Sequence, residues 1–301
     1  KQKKIKLIFT KKIKLSSSDI ISKKFNKYTL MDFEKFNKIK LKYSFQYFKN
    51  LIDEIKNVEL CLIGDPIIDE YIYVETTGIA SKTPALASKL KKKELYMGGV
   101  FAVAQMATLL GAKVNLITYL DNTIQTNNIL KKLSKKINLI KINSNFKVPL
   151  ISRIVNDGKN EHLHQIYNFK NFVHEKKSIL KLKKELRKYK KRKCQFVLID
   201  FGFNFLNNSI INSINRKHLS INTHKNSLNS NHNYISKYKN PAYFSINFSE
   251  YLSDKKINIE KEPKKIIEYL KNNELRKKFS ITLGNKGSIF KNNKNIEYSP
   301  A

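Results

Sequence analysis

From about Leu60 onward, short apolar runs alternate with amphipathic stretches, the pattern of a mostly parallel sheet covered by helices on both faces. Leu60-Cys61-Leu62-Ile63 predicts a first buried strand, Gly99 to Leu110 a helix and Val114 to Thr118 the next strand. Ile179, Leu182, Leu186 and Tyr189 recur at helical spacing and share one face, and Phe196 to Ile199 gives a strand ending at Asp200. Leu219 to Asn222 and Tyr243 to Ile246 are strand-like. Pro263 opens a helix carrying Ile266, Ile267 and Leu270, and Phe279 to Leu283 is a strand closing on Gly284. The repeated order of strand, helix and strand predicts a doubly wound α/β fold.

Two stretches break that rhythm. Tyr71 and Tyr73, then Ala85 to Leu90, then Leu95-Tyr96 read as short strands around Gly78 and Pro84, so a small β flap over 71–97 is expected to project from the main sheet. Residues 1–50 are lysine-rich, with Ser16-Ser17-Ser18 and an amphipathic stretch through Phe45, Phe48, Leu51 and Ile52. They read as a linker and helix leading into a domain over 51–301.

At 301 residues, 41% hydrophobic and 11% aromatic, the chain can bury a sizeable core. A formal charge of +35 raises nucleic acid and anionic membrane as partners. Arginine, however, occurs only at 153, 187, 192, 216 and 276; the excess is lysine, spread from end to end among abundant Asn and Ile. That is the distribution of solvated lysine faces, so no specific nucleic acid partner is expected. No stretch reaches the roughly 18 to 20 apolar residues that span a bilayer, since Gln105, Gly111, Lys113 and Asn115 interrupt Val100 to Leu120; no membrane partner is expected either. Cys61 and Cys194 each sit in an apolar run as small buried hydrophobes, consistent with a reducing, cytoplasmic setting. The histidines form no metal constellation by spacing. The first residue is Lys1 rather than Met, as expected of a piece of a longer protein.

Three segments carry candidate chemistry. Gly64-Asp65-Pro66-Ile67-Ile68-Asp69 ends the first strand and Gly98-Gly99 opens the first helix. A carboxylate at the carboxyl end of a parallel strand can accept sugar hydroxyls, and a glycine pair lets backbone N–H groups approach a ligand; alone, each is equally a turn or a cap. Asn247-Phe248-Ser249-Glu250 places two polar side chains on one side of a first helical turn, where they are either an N-cap with its capping-box partner or a site for a hard cation. Thr282-Leu283-Gly284-Asn285-Lys286-Gly287 follows a strand, as a plain glycine turn or as a backbone contact for a nucleotide.

Taken together, Gly-Asp-x-x-x-Asp, a flap with Ser-x-x-Pro, and Gly98-Gly99 through Gly111-Ala112 resemble the ribokinase (PfkB) family of carbohydrate kinases, nearest the heptose-phosphate kinase module of nucleotidyltransferase–kinase fusions. The resemblance implies a ribokinase-like fold whose β flap is a lid, and ATP-dependent phosphorylation of a sugar or sugar-phosphate hydroxyl. It implies sugar contacts at Asp69, Gly98 and Gly99, nucleotide contacts at Thr282, Gly284 and Gly287, and Asn247 with Glu250 arranging Mg²⁺ through water. A homodimer through the flap is also implied. The segment Phe9-Thr10 with Leu15 to Ile21 is similar to the end of a cytidylyltransferase-like domain, or is a serine-rich linker.

The departures are specific. Ala102 stands where relatives carry an Asn sugar ligand, and Phe203 where many carry a basic residue after the strand ending at Asp200. Gly-Ala-Gly-Asp, whose Asp is the family's catalytic base, occurs nowhere in the sequence and is expected beyond Ala301, so the C-terminal part of the domain is expected to be missing and these 301 residues to turn over slowly or not at all. The second expectation is a catalytically degenerate sugar- or nucleotide-binding module of the same fold.

Overall fold

The computed structural model describes residues 37, 39–143, 146–158, 161–170, 172–190, 194–212, 214, 218–225, 233–239 and 241–301. The segment with Phe9-Thr10 and Ser16 to Ser18 lies outside them. The chain divides between Asp53 and Glu54 into two units. Helix α1 (Phe45–Ile55) runs across that division, and Phe45, Tyr47, Phe48, Leu51 and Ile52 along it are exposed.

The second unit is built on β1 (Glu59–Gly64), which pairs in parallel with β4 (Lys113–Leu120) on one side and β8 (Gln195–Asp200) on the other. The sheet extends through β5 (Asn138–Asn143) beyond β4, and through β9 (Leu219–Thr223), β10 (Tyr243–Asn247) and β11 (Lys278–Thr282) beyond β8, all parallel. Antiparallel β12 (Ser288–Asn292) and β13 (Asn295–Ser299) complete nine strands in the order β13-β12-β11-β10-β9-β8-β1-β4-β5.

Successive residues of a strand point to opposite faces, so both faces must be covered when neither alternate set is polar. Cys61 and Ile63 of β1 join Ile117 and Tyr119 of β4 in one core, whereas Leu62 joins Leu116 and Leu120 in a second. The first core is closed by Leu182, Leu186 and Tyr189 of α4 (Lys176–Lys190), Phe248 and Tyr251 of α6 (Phe248–Lys255), and Ile266 and Leu270 of α7 (Pro263–Asn273). The second is closed by Val100, Phe101 and Ala104 of α2 (Gly99–Leu109) and Ile129 of α3 (Ile124–Lys132). The short helix α5 (Asn208–Ile211) adds Ile210 and Ile211 to the first core. Both cysteines are buried and form no disulfide, Cys61 within β1 and Cys194 immediately before β8.

A second sheet of four strands stands beside the first in the order β3-β2-β6-β7. β2 (Pro66–Ile79) and β3 (Leu86–Gly98) form a long antiparallel ribbon. This is the flap, longer than 71–97 at its base. β6 (Leu150–Asn156) adds in parallel to β2, and β7 (Glu161–Asn168), which carries His162 and His164, pairs with β6. The sequence pattern anticipated the ribbon and missed β6, whose Ser152, Arg153 and Asn156 interrupt its apolar alternation. Among the described residues no helix is long and apolar enough to cross a membrane.

Candidate active site

Where the four-stranded lid meets the carboxyl ends of β1, β8, β9 and β10, a cleft of about 730 Å³ opens. Polar groups gather there by construction, because these strand ends release the chain into loops and helix starts. Asp69, Gly98 and Gly99 all line it.

Each is held in place by a local constraint. Gly99 has φ +53°, and a Cβ there would overlap the carbonyl oxygen of Asp65; that carbonyl accepts the Val100 N–H at 3.0 Å, fixing the first turn of α2 against the end of β1. A Cβ on Gly98 would lie 2.5 Å from Asp69 Oδ2, so the glycine lets the carboxylate lie over bare backbone. The helix has no side-chain N-cap, and the Asp65 carbonyl takes one of the N–H groups of its first turn instead.

Asp69, on β2, is joined by Arg153 of the neighbouring β6. The Arg153 Nη2 and Nε donate to Asp69 Oδ1 at 2.7 and 3.2 Å, and Nη1 donates to Gln165 Oε1 at 3.1 Å. Register places Tyr71 opposite Arg153 and Asp69 opposite Ile151, so Arg153 reaches along the strand to find the carboxylate. Sequence reading missed Arg153 as a site residue; its isolation among the lysines was the available signal. The pair is partly exposed at 26% and 21%, so it serves orientation more than stability.

Behind the cleft floor lies a buried acidic pair. Asp65 Oδ2 accepts the N–H of Phe201 at 2.8 Å and of Phe203 at 3.5 Å, which pins the loop after β8, while its Oδ1 is buried without a hydrogen-bond partner. Burial and the nearby Asp200 push the Asp65 carboxyl up to about 7, against the pull of the two N–H groups and of Lys237. Asp200 is satisfied by the Tyr238 hydroxyl at 2.5 Å, by Lys237 and by the Gly202 N–H at 2.9 Å. The Asp65 of the Gly-Asp pair thus holds structure, and Asp69 faces the cleft.

Asn247 and Glu250 stand one strand beyond β9, and here the side chains turn inward. Asn247 Oδ1 accepts the Glu250 N–H at 2.8 Å and Glu250 Oε2 accepts the Asn247 N–H at 2.8 Å, a complete capping box. Glu250 Oε1 accepts the Lys225 N–H at 2.9 Å and lies 3.0 Å from His224 Nδ1. Of this segment Ser249 lines the cleft, with His224 and Lys225 beside it. With both Glu250 oxygens taken by protein donors, and no group of three acidic, histidine or cysteine side chains converging among the described residues, these residues do not fit a directly ligated magnesium ion.

Thr282 is in register with Asn247 across β10 and β11, and a short 3₁₀ turn (Gly284–Lys286) follows. Gly284 has φ +62°, and an added Cβ would meet only Lys261 Nζ at 3.6 Å, so there is room beside the backbone. Gly287 is different: its φ is +93° and a Cβ would overlap the carbonyl oxygen of Ser299, so it answers to the packing of β12 on β13. None of the three lines the 730 Å³ cleft. Ala102 and Phe203, the two departures noted in the sequence, both do.

No family model and no curated protein matches the sequence. Solved structures do. Phosphofructokinase-2 from Escherichia coli, in complex with fructose-6-phosphate, superposes with a TM-score of 0.63 at 11% identity, over 81% of this chain and 80% of that one. A protein assigned as a ribokinase, from Agrobacterium tumefaciens, gives 0.54 at 10% identity over 81% and 76%. The fold is ribokinase-like. A protein assigned as a sugar kinase, from Clostridium perfringens, gives 0.50 at 14% identity over 78% and 72%. The ribokinase-like architecture accounts for the two sheets and for a cleft between lid and strand ends.

Proposed function

We propose that this cleft is the acceptor site of an ATP-dependent kinase acting on a hydroxyl of a sugar or sugar phosphate, in the cytoplasm. The observation that carries the proposal is that Asp69, Gly98 and Gly99, singled out by motif, line one cleft beneath a four-stranded lid in a ribokinase-like fold. Asp69 Oδ2, with Oδ1 committed to Arg153, is the acceptor for a substrate hydroxyl; the lid excludes water that would compete for the phosphoryl group. The nucleotide is proposed to lie over the β10–β11 end, on Thr282, Gly284 and Gly287. Lys225 supplies positive charge at the junction. Magnesium enters as the counter-ion of the triphosphate, reached by Asn247 and Glu250 only through water. The exposed Ile79, Leu86 and Leu90 of the lid support pairing of two lids in a homodimer. Membership of a nucleotidyltransferase–kinase fusion rests on motif resemblance alone.

Because Gly-Ala-Gly-Asp is absent from the 301 residues, binding is the decisive readout rather than turnover. Calorimetric titration of the chain with ribose and with fructose 6-phosphate, each with and without Mg-ATP, is expected to show sugar binding that Mg-ATP tightens. Asp69→Asn should weaken sugar binding about 100-fold, a loss of about 2.7 kcal/mol. Sugar binding indifferent to that substitution would sink the proposal. A catalytically degenerate binding module is the second reading, favoured by Ala102 and Phe203 in the cleft; it predicts one ligand class binding without linkage to the other.

A further inference from the structure

At the amino ends of β10 and β11, away from the strand ends that carry the cleft, a second pocket of about 490 Å³ opens. A doubly wound sheet takes its ligands at the carboxyl ends, so the architecture alone does not call for a pocket here. Its polar lining among the described residues is Arg276, Lys277, Lys278 and Asn293, with no carboxylate; Pro241, Ala242 and Leu275 make up the rest.

Arg276 is held in one pose before any ligand arrives. Its guanidinium lies 4.1 Å over the ring of the buried Phe244, and Nε and Nη2 each donate to an oxygen of Glu274 at 2.8 Å. Among the described residues Nη1 donates to no protein acceptor, which leaves a donor of the fork for a ligand. Glu274 does not cancel the local charge, because it is buried and Lys255 also stands 3.3 Å from it. Lys277 and Lys278 are exposed and make no ion pair among the described residues. The Asn293 N–H donates to the Lys277 carbonyl at 2.7 Å, which ties the turn between β12 and β13 to the rim. Three cations in one pocket exceed what a single carboxylate needs, whereas a phosphate monoester brings nearly two negative charges and three acceptor oxygens. A bare anion would leave the side formed by Pro241, Ala242 and Leu275 unused, and the volume suits a whole small molecule.

We propose that this pocket binds a small organic phosphate, its phosphate oxygens on Arg276 Nη1, Lys277 and Lys278 and its organic part against Pro241, Ala242 and Leu275. The site is separate from the cleft and takes no part in phosphoryl transfer.

The test is calorimetric titration of the full chain with phenyl phosphate, benzoate and inorganic phosphate at about 150 mM salt, where diffuse attraction between exposed charges is screened. Phenyl phosphate is expected to bind about ten-fold more tightly than either of the other two. Lys277→Gln together with Lys278→Gln, two exposed positions whose replacement spares the core, should weaken it about ten-fold. Leu275→Ser should shrink its advantage over inorganic phosphate. Lys225→Gln in the cleft, and Lys181→Gln with Lys184→Gln on the exposed side of α4, should leave its affinity within about two-fold of the parent. An α4 pair as damaging as the Lys277 and Lys278 pair would mean diffuse charge only and would overturn the proposal. Loss confined to Lys225→Gln would overturn it as well, by putting the probe in the cleft. Single-stranded DNA bound through Lys277 and Lys278, with phenyl phosphate ignored, would overturn it in favour of a nucleic acid backbone.

Discussion

The two ends of the candidate site were marked by motifs of equal simplicity, yet they are built in opposite ways. At the lid end, Asp69 faces open space and Gly98 is small so that the carboxylate can lie across it. At the β10–β11 end, Asn247 and Glu250 are folded back on the helix they begin, and Gly287 is small because Ser299 packs against it. A short motif reports that a residue type is required at a position. Whether the requirement comes from a ligand or from the chain itself depends on which way the side chain turns.

The sharpest contrast lies within the glycine pair. Gly99→Ala combines left-handed strain of about 1–2 kcal/mol with a backbone overlap, and about 3 kcal/mol or more of stability should be lost in urea denaturation. Gly98→Ala meets the Asp69 carboxylate and the Ile67 side chain rather than backbone, and should cost less stability than Gly99→Ala while lowering sugar affinity, measured by titration. If Gly98→Ala unfolds the chain and Gly99→Ala does not, the two roles are reversed.

Next in size is Glu250→Ala, which leaves the Asn247 and Lys225 N–H groups without their acceptor; about 2 kcal/mol should be lost, read as a lower denaturation midpoint at unchanged slope. A variant as stable as the parent would mean that the capping box is incidental and that the carboxylate is kept for a ligand.

Smaller per unit of pH is the effect of the raised Asp65 carboxyl. The folded chain keeps its proton at pH values where the unfolded chain has released it, so stability falls as pH rises from about 4 to about 7, by up to about 1 kcal/mol per unit. Asp65→Asn should flatten that slope in thermal melts across this range; an unchanged slope would place the titration elsewhere. Smallest of all, Gly284→Ala meets only Lys261 Nζ at ordinary contact distance and should cost about 1 kcal/mol, from φ alone.

Much of the sheet was legible because buried parallel strands are continuous apolar runs, as at Leu60 to Ile63 and Phe279 to Leu283. Helix starts were legible where chemistry marks them: Pro263, and the glycine pair before Val100. β6 was not, since a lid strand half open to solvent mixes Ser152, Arg153 and Asn156 with apolar residues and matches no single period. The same exposure hid the Arg153–Asp69 pair, which forms only through a parallel pairing between segments far apart in sequence. Motif and periodicity cannot supply such a partner; register does.

Asp69 and Arg153 both ride on the lid, on β2 and β6, whereas Gly99 opens α2 and Phe201 follows β8 of the main sheet. Any swing of the smaller sheet about its joints at Asp65 and Gly98 therefore carries away the very groups that would grip an acceptor. Capture and enclosure become a single event, and a ligand too short to bridge the two sheets would gain from neither.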